Sequence, residues 1–339
     1  MYTIEDYIKY YGNRDFNDVK WNIQDTIICS ILSYLIFNSY NKEIYLYQFF
    51  DSLKNYEEKI MKDYSARNAY NVLKKMINAK RYLELKIKNI EYVYNDKTMF
   101  GAFTVKLDNK TIVAFKGSDS SAIAWKENFR DGYLYPTYTQ NKAINYLNKV
   151  KGEKIIVCGH SKGGNLALVS AMECNNKVFK NILEIDNFDG PGLRWEEFSS
   201  NKYDKVLPIL RNIIPTGSYI GTMLYNQKYE LIATNTKGIL VHSPFNWLVF
   251  GDTFVEGKNS LFSNKIKNIT TEELDKLDNK KYGETLEKIF DRLPNDLNGN
   301  NKITLKEIKN IINNFNDIDK DTKDYLLKII NTLIMGIFH

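Results

Sequence analysis

Val157-Cys158-Gly159-His160-Ser161-Lys162-Gly163-Gly164-Asn165-Leu166-Ala167-Leu168-Val169-Ser170 is the stretch on which the reading of the fold turns. Before the bend, Ile155-Ile156-Val157-Cys158 is a short, apolar, β-prone run. After it, Leu166 to Met172 carries an apolar face made mostly of good helix formers. Between them Gly159-His160-Ser161-Lys162-Gly163 fits G-x-S-x-G, which sets a serine on a strained strand-to-helix turn with its hydroxyl presented to substrate. The glycines suit places where strand and helix approach too closely for a Cβ. The pentapeptide alone is common, but with a strand before and a helix after, it points to a nucleophile. The alternative is a plain βα turn whose serine caps the helix.

A nucleophilic serine needs a base, and the chain has only three histidines. His160 adjoins the serine on a strand-like turn, so its ring should point away from the hydroxyl. His339 is the last residue, where chains fray. His242 follows the apolar run Ile239-Leu240-Val241, lies C-terminal to Ser161, and is therefore the expected base.

Composition narrows the function classes. Apolar residues make up 43% of the 339, enough for a sizeable core in one large α/β domain with additions, or in two domains. The net charge of +6 arises from 47 basic and 41 acidic residues interleaved along the chain, which reads as a solvated surface and predicts no nucleic-acid partner. Cys29, Cys158 and Cys174 are odd in number and imply no disulfide framework. The N-terminus shows acids and no apolar signal core. With the cysteines, this predicts a cytoplasmic protein. The apolar runs 26–37 and 326–338 are too short and interrupted to span a membrane. The second is expected as a buried C-terminal helix, with peripheral membrane contact as the alternative.

Periodicity predicts helices over 22–37 and 57–79, then a β-meander over 86–94, 99–107 and 111–115 with Asn/Asp turns. Alternation follows: helix 140–150, strand 155–158, helix 162–173, and strands 182–185, 209–214, 229–233 and 239–241. Antiparallel strands feeding a parallel αβ core fit a three-layer α/β hydrolase. The expected organisation is a domain over 1–260, N-terminal helices included, with a helical C-terminal extension over 261–339 packed on it.

Ester chemistry also needs donors for the developing oxyanion. The elbow supplies the backbone N–H of Lys162, and the loop after an earlier strand supplies a second. Thr111 to Phe115 is such a strand, Gly117 lets the backbone turn in closely, and the Ser118 N–H is the expected donor.

AFKGSDSSAIAWKENF, beginning at Ala114, resembles the AFRGT…W…N/D…F segment of class 3 lipases, and GHSKGGNLA resembles their GHSLGGALA elbow. The closer resemblance is to a bacterial family of class 3 lipase-like α/β hydrolases classed as a domain of unknown function. Its signature opens with D-Y-x-x-x-x-G-x-x-x-F (Asp6-Tyr7 to Phe16) and N-x-x-D (Asn22 to Asp25). It continues through GHSKGGNLA, F-D-G-P-G (Phe188 to Gly192) and H-x-P-x-x-W (His242 to Trp247). The resemblance covers roughly residues 1–260 and implies a hydrolase site without a known substrate.

The third triad member is where the sequence departs from that pattern. Class 3 lipases carry the acid in D-x-V-P, and the matching Asn212-Ile213-Ile214-Pro215 has an amide there. Asp189 instead follows the strand after the elbow, as in the L-D-P-A-G-P segment of pancreatic-type lipases. Asp189 is the expected acid, with Asn212, Asp186 and Asp204 as alternatives and a plain Asp-Gly-Pro turn as the structural reading.

Lys162 stands where lipase elbows usually have leucine and is expected as a solvated lysine on the helix's first turn. The apolar connector Tyr219 to Tyr229 reads as a lid or a packed helix. Asp296 to Glu307 fits much of an EF-hand loop, but a single copy with two acids among its ligands predicts a polar turn and no metal. The resulting expectation is a cofactor-free serine hydrolase acting on carboxylic esters, acyl lipids among them, through Ser161, His242 and Asp189. A binding module on the same fold, or an acyltransferase or thioesterase using the same residues, are the alternatives.

Overall fold

The structure, a computed structural model, describes residues 2–95, 97–119, 121–292, 304–315 and 318–336. Its centre is an eight-stranded sheet in chain order: β1 (Ile44–Tyr45), β2 (Lys86–Tyr94), β3 (Met99–Leu107), β4 (Lys110–Phe115), β5 (Lys154–His160), β6 (Ile182–Phe188), β7 (Leu210–Pro215) and β8 (Tyr229–Ile232). Strands β1 to β4 pair antiparallel, and β4 to β8 pair parallel. A two-residue loop, Asp108-Asn109, turns β3 into β4, with Asp108 at φ 49, a conformation that a short polar side chain tolerates. The parallel half needs crossovers, and helices Tyr138–Lys149 and Lys162–Glu173 provide them.

Alternation along β5 sorts the layers. Ile155 and Val157 enter a core with the two crossover helices, whereas Ile156 and Cys158 enter the opposite core with helices Ile23–Leu32 and Tyr64–Met76. The result is helices on both faces of the sheet. Phe115 pairs with Gly159, His160 with Phe188, and Phe188 with Ile213, so the carboxyl ends of β4 to β7 share one edge. Loops leaving that edge are where ligands bind in open α/β sheets.

Two sequence expectations are corrected. The helix expected over 57–79 is two helices, Glu57–Lys62 and Tyr64–Met76. Asp63 is extended between them, and its carboxylate caps the second by accepting from the Ala66 N–H at 2.9 Å. The strand expected over 239–241 is a 3₁₀ turn, Gly238–His242. Gly238 enters it at φ 63, and the Trp247 indole N–H takes the Val241 carbonyl at 2.9 Å, so the run is folded back on itself.

The N-terminal signature residues form one buried structural knot. The Arg81 guanidinium donates to Asp25 at 2.6 and 2.9 Å and to the Val19 carbonyl at 2.8 Å, with both charged side chains fully buried. The Tyr82 hydroxyl also donates to Asp25, at 3.0 Å. Tyr7 accepts from the Asn22 amide at 2.8 Å, Phe16 lies 4.2 Å from the guanidinium, and the Gly12 carbonyl accepts from the Arg81 N–H. These residues therefore hold the first helices to Arg81.

The tail forms its own apolar cluster. Helices Leu261–Asn268, Asn279–Phe290, Leu305–Asn313 and Lys320–Gly336 pack together and against Tyr219 and Leu224. Glu287 ties them to the sheet's flank by accepting twice from Arg130, at 2.9 and 3.1 Å. No helix among the described residues is long and apolar enough to cross a membrane. Most of the EF-hand-like segment, residues 296–303, lies outside the described residues, as does His339. Glu307, its twelfth position, closes a capping box by accepting from the Thr304 N–H at 2.7 Å.

Candidate active site

β5 delivers Ser161 to the sheet edge in an uncommon conformation, φ 60 and ψ −132, and helix Lys162–Glu173 starts at the next residue. A non-glycine residue held there stores strain that the surroundings must fix. They do so by contact. A Cβ on Gly159 would sit 2.2 Å from the Gly163 backbone, and one on Gly163 2.3 Å from the Phe115 carbonyl oxygen. Side chains at either position would push the helix off the strand. The Ser161 N–H donates to the Phe188 carbonyl at 2.9 Å, and the Lys162 N–H, at the helix start, has no intrahelical acceptor.

Asp189 and His242 are brought together at the same edge. Asp189 follows β6, is fully buried, and accepts from His242 Nδ1 at 2.7 Å. The Ser218 hydroxyl donates to the same carboxylate at 2.7 Å and the Gly221 N–H at 3.0 Å. With its Nδ1 proton held by Asp189, His242 keeps Nε2 as the basic nitrogen. The connector Tyr219 to Tyr229, expected as a lid or a packed helix, holds no helix: residues 219–228 form a packed loop, and its entry supplies the two groups that hold Asp189. Sequence reasoning did not single out Ser218 and Gly221. Their only signal is the turn composition Pro215-Thr216-Gly217-Ser218.

The alternative acids are placed elsewhere. Asn212 is buried in β7, where its amide accepts from Asn187 at 3.0 Å and donates to the Gln227 carbonyl at 2.9 Å. Asp204 is exposed on the helix Asn201–Val206. Asp186 is buried on the sheet face that carries Cys158 and Phe188, and neither of its oxygens has a hydrogen-bond partner among the described residues.

Burial pushes the Asp186 carboxyl up to about 7, partly offset by Arg211. An acid with a raised folded-state pKa keeps its proton longer in the native state than in the unfolded one. Its contribution is full below the ordinary carboxylate range, declines as pH rises towards 7, and is flat above it. Asp186→Asn should therefore match wild type at and below about pH 4 and exceed it above pH 7, by on the order of 4 kcal/mol. Urea unfolding at both pH values checks this, and parallel pH profiles would count against it.

His160 points away from Ser161, as its place on the strand requires, and backs the His242 segment. Its Nε2 faces the His242 carbonyl at 2.8 Å and so carries the proton, while Nδ1 accepts from the Tyr34 hydroxyl at 2.7 Å. Burial, with His242 nearby, holds this ring well below the usual histidine range, so it is neutral. The two imidazoles lie 4.5 Å apart, and Trp247 meets the edge of His160 at 5.6 Å.

The loop after β4 runs beside the elbow. A Cβ on Gly117 would lie 2.7 Å from the His160 carbonyl oxygen and 2.2 Å from the Tyr34 hydroxyl, so only glycine fits. Ser118 follows, and its hydroxyl donates to Asn128 at 2.9 Å, which ties the loop to helix Ala122–Arg130.

Lys162 is not the solvated lysine expected. Its side chain is 4% exposed, and its ammonium group pairs with Asp131, one contact being 2.6 Å. Burial raises the Asp131 carboxyl to about 6 against the pull of Lys162. The ammonium also faces the Glu127 carbonyl, so the side chain is held against helix Ala122–Arg130 and its exit and is not free in solvent.

Ser161 opens onto a cavity of about 600 Å³. Its walls are largely apolar: Trp125 and Phe129 on one side, Ile220 and Met223 from the packed loop, and Ile329 and Leu333 from helix Lys320–Gly336. Among the described residues no group of three or more His, Cys, Asp or Glu is placed to hold a metal. The three cysteines are free and buried.

A mixed sheet with helices on both faces, and a serine on a glycine-flanked elbow at the carboxyl edge of its parallel half, define an α/β hydrolase-like fold. Residues 76–291 match the Mbeg1-like family, and the chain belongs to it. Among solved structures it is similar to a propeptide complex of Rhizomucor miehei lipase at 13% identity. That match covers 68% of this chain and 79% of the lipase, with a TM-score of 0.35. It is also similar to M37 lipase at 16% identity, over 59% of this chain and 68% of that one, with a TM-score of 0.31. No curated protein matches the chain.

Proposed function

We propose that the protein is a serine hydrolase acting on carboxylic esters. The observation that carries this reading is the pairing of the buried Asp189 with the half-buried His242, at 2.7 Å, on the sheet edge that presents the strained Ser161. Ser161 Oγ attacks the ester carbonyl carbon while His242 Nε2 takes the hydroxyl proton. As the tetrahedral intermediate collapses, His242 returns that proton to the departing alcohol and the acyl group stays on Ser161. Water, deprotonated by His242, then releases the acid and regenerates the serine. Asp189 holds the imidazole tautomer and stabilises the imidazolium.

The backbone N–H groups of Lys162 and Ser118 receive the oxyanion, each donor contributing on the order of 3 kcal/mol. Helix Ala122–Arg130 and its exit brace both, through Asn128 to Ser118 and Asp131 to Lys162. The Lys162 charge is spent on Asp131, so the reading assigns it no role in attracting anionic substrates. The apolar cavity suits the acyl side of the ester. Hydrolysis of p-nitrophenyl acetate and octanoate by wild type, lost in Ser161→Ala and in His242→Ala, is the expected result. Unchanged turnover in either variant would refute the assignment.

A further inference from the structure

The Mbeg1-like match ends at residue 291, yet part of the cavity wall in front of Ser161 comes from beyond it. Leu305 of helix Leu305–Asn313, and Tyr325, Ile329 and Leu333 of helix Lys320–Gly336, line the same cavity as Ser161. Tyr325, Ile329 and Leu333 recur at intervals of four, which puts them on one helix face. Each is under 10% exposed, and they border open space where a packed helix–helix contact would have filled it. The rest of the wall includes Ser161 of the elbow, Phe129 of helix Ala122–Arg130 and Met223 of the packed loop.

We propose that the C-terminal helix pair is the acyl-binding wall of the site. The substrate class is then an ester of a single aliphatic acyl chain, whose tolerated length is set by Tyr325, Ile329 and Leu333. This rests on the proposed hydrolase reading for the chemistry, but the binding site stands on the cavity alone. An apolar cavity with a reactive serine on its wall accommodates methylenes, and each one that fits or fails to fit changes discrimination by roughly tenfold or more. The three side chains touch the acyl tail and not the ester, so they govern selection among chain lengths without entering the chemistry. Selectivity would thus be carried by a segment outside the family match, on a hydrolase core inside it.

The test compares wild type, Ile329→Trp, Leu333→Trp and Tyr325→Ala on the acetate, octanoate and palmitate esters of p-nitrophenol. Binding of octanoate and palmitate to each variant in a Ser161→Ala background, followed by calorimetry, gives a readout independent of turnover. Filling the cavity with either indole should weaken palmitate binding and raise KM for the palmitate ester about tenfold or more. The ratio of palmitate to acetate kcat/KM should fall by the same factor. Tyr325→Ala, which enlarges the cavity, should shift the preference to longer chains, so the proposal survives if an indole variant fails to fold. Wild-type fatty-acid binding that the folded indole variants retain would overturn the proposal, as would no fatty-acid binding at all. Binding that responds as expected without any ester turnover would overturn the hydrolase reading alone.

Discussion

Asp189→Asn is expected to lower turnover on a short ester by about 10⁴-fold with little change in melting temperature. The substitution preserves size, and the asparagine carbonyl can still accept from the Gly221 N–H that now donates to Asp189. The amide's remaining group is a donor, however, and it faces His242 Nδ1. The imidazole must then present a lone pair at Nδ1 and carry its proton on Nε2, which leaves nothing to accept the Ser161 proton. The full negative charge opposite the imidazolium is lost as well. Asn212→Ala is the matched control. Its amide joins Asn187 to the Gln227 carbonyl and touches neither Asp189 nor His242 in its hydrogen bonding. Its loss should cost roughly tens of fold at most, through packing. Steady-state rates on one ester, with melting temperatures measured alongside, separate the two. Near-normal activity in Asp189→Asn together with a large loss in Asn212→Ala would mean that an amide orients the histidine.

The largest expected effect on stability lies away from the site. Arg81→Met should destabilise the protein by about 3–5 kcal/mol, because it leaves the Asp25 carboxylate fully buried without its cation. Breaking one side of a buried pair costs far more than replacing both partners with apolar groups. The double variant Arg81→Met, Asp25→Leu should therefore recover much of the loss. For a chain of this size the single change corresponds to a drop of roughly 5 °C in melting temperature. The consequence reaches the site through helix Ile23–Leu32, which leads into Ser33 and Tyr34. Ser33 donates to the Phe115 carbonyl at 3.2 Å, and Tyr34 donates to His160. A single variant melting within a degree or two of wild type would show that the knot contributes little.

The strands and the elbow were legible in the sequence because short apolar β-prone runs bounded by Asn, Asp and Gly leave few alternatives. Helix Lys162–Glu173 and strands β2 and β3 have the bounds expected of them. Legibility failed where tertiary contacts override local pattern. Nothing local marks Asp63 as a cap between two helices. The run Ile239-Leu240-Val241 has strand composition, but the Trp247 indole claims one of its carbonyls. Lys162 reads as a surface residue because its partner, Asp131, lies far back in the chain. The signature residues were visible as a pattern, but Arg81, the partner of Gly12, Phe16 and Asp25, was not, since it lies outside that pattern; Tyr7 and Asn22 join through Asp25. The histidine–serine assignment came from elimination among three histidines. The groups holding Asp189 could not be found that way, because a serine hydroxyl and a glycine N–H carry no distinguishing signal in sequence.

The reactivity of Ser161 is the point on which the whole reading rests. The most direct measurement is the intact mass of the wild-type protein after exposure to a fluorophosphonate, with the modified residue located by peptide mapping. A nucleophile activated by His242 should take one phosphonyl group, on Ser161, within minutes. The same treatment should leave Ser161→Ala unmodified and His242→Ala at least about 10³-fold slower to react. Unmodified wild-type protein, or labelling that maps to another residue and persists in Ser161→Ala, would contradict the assignment of Ser161 as the nucleophile.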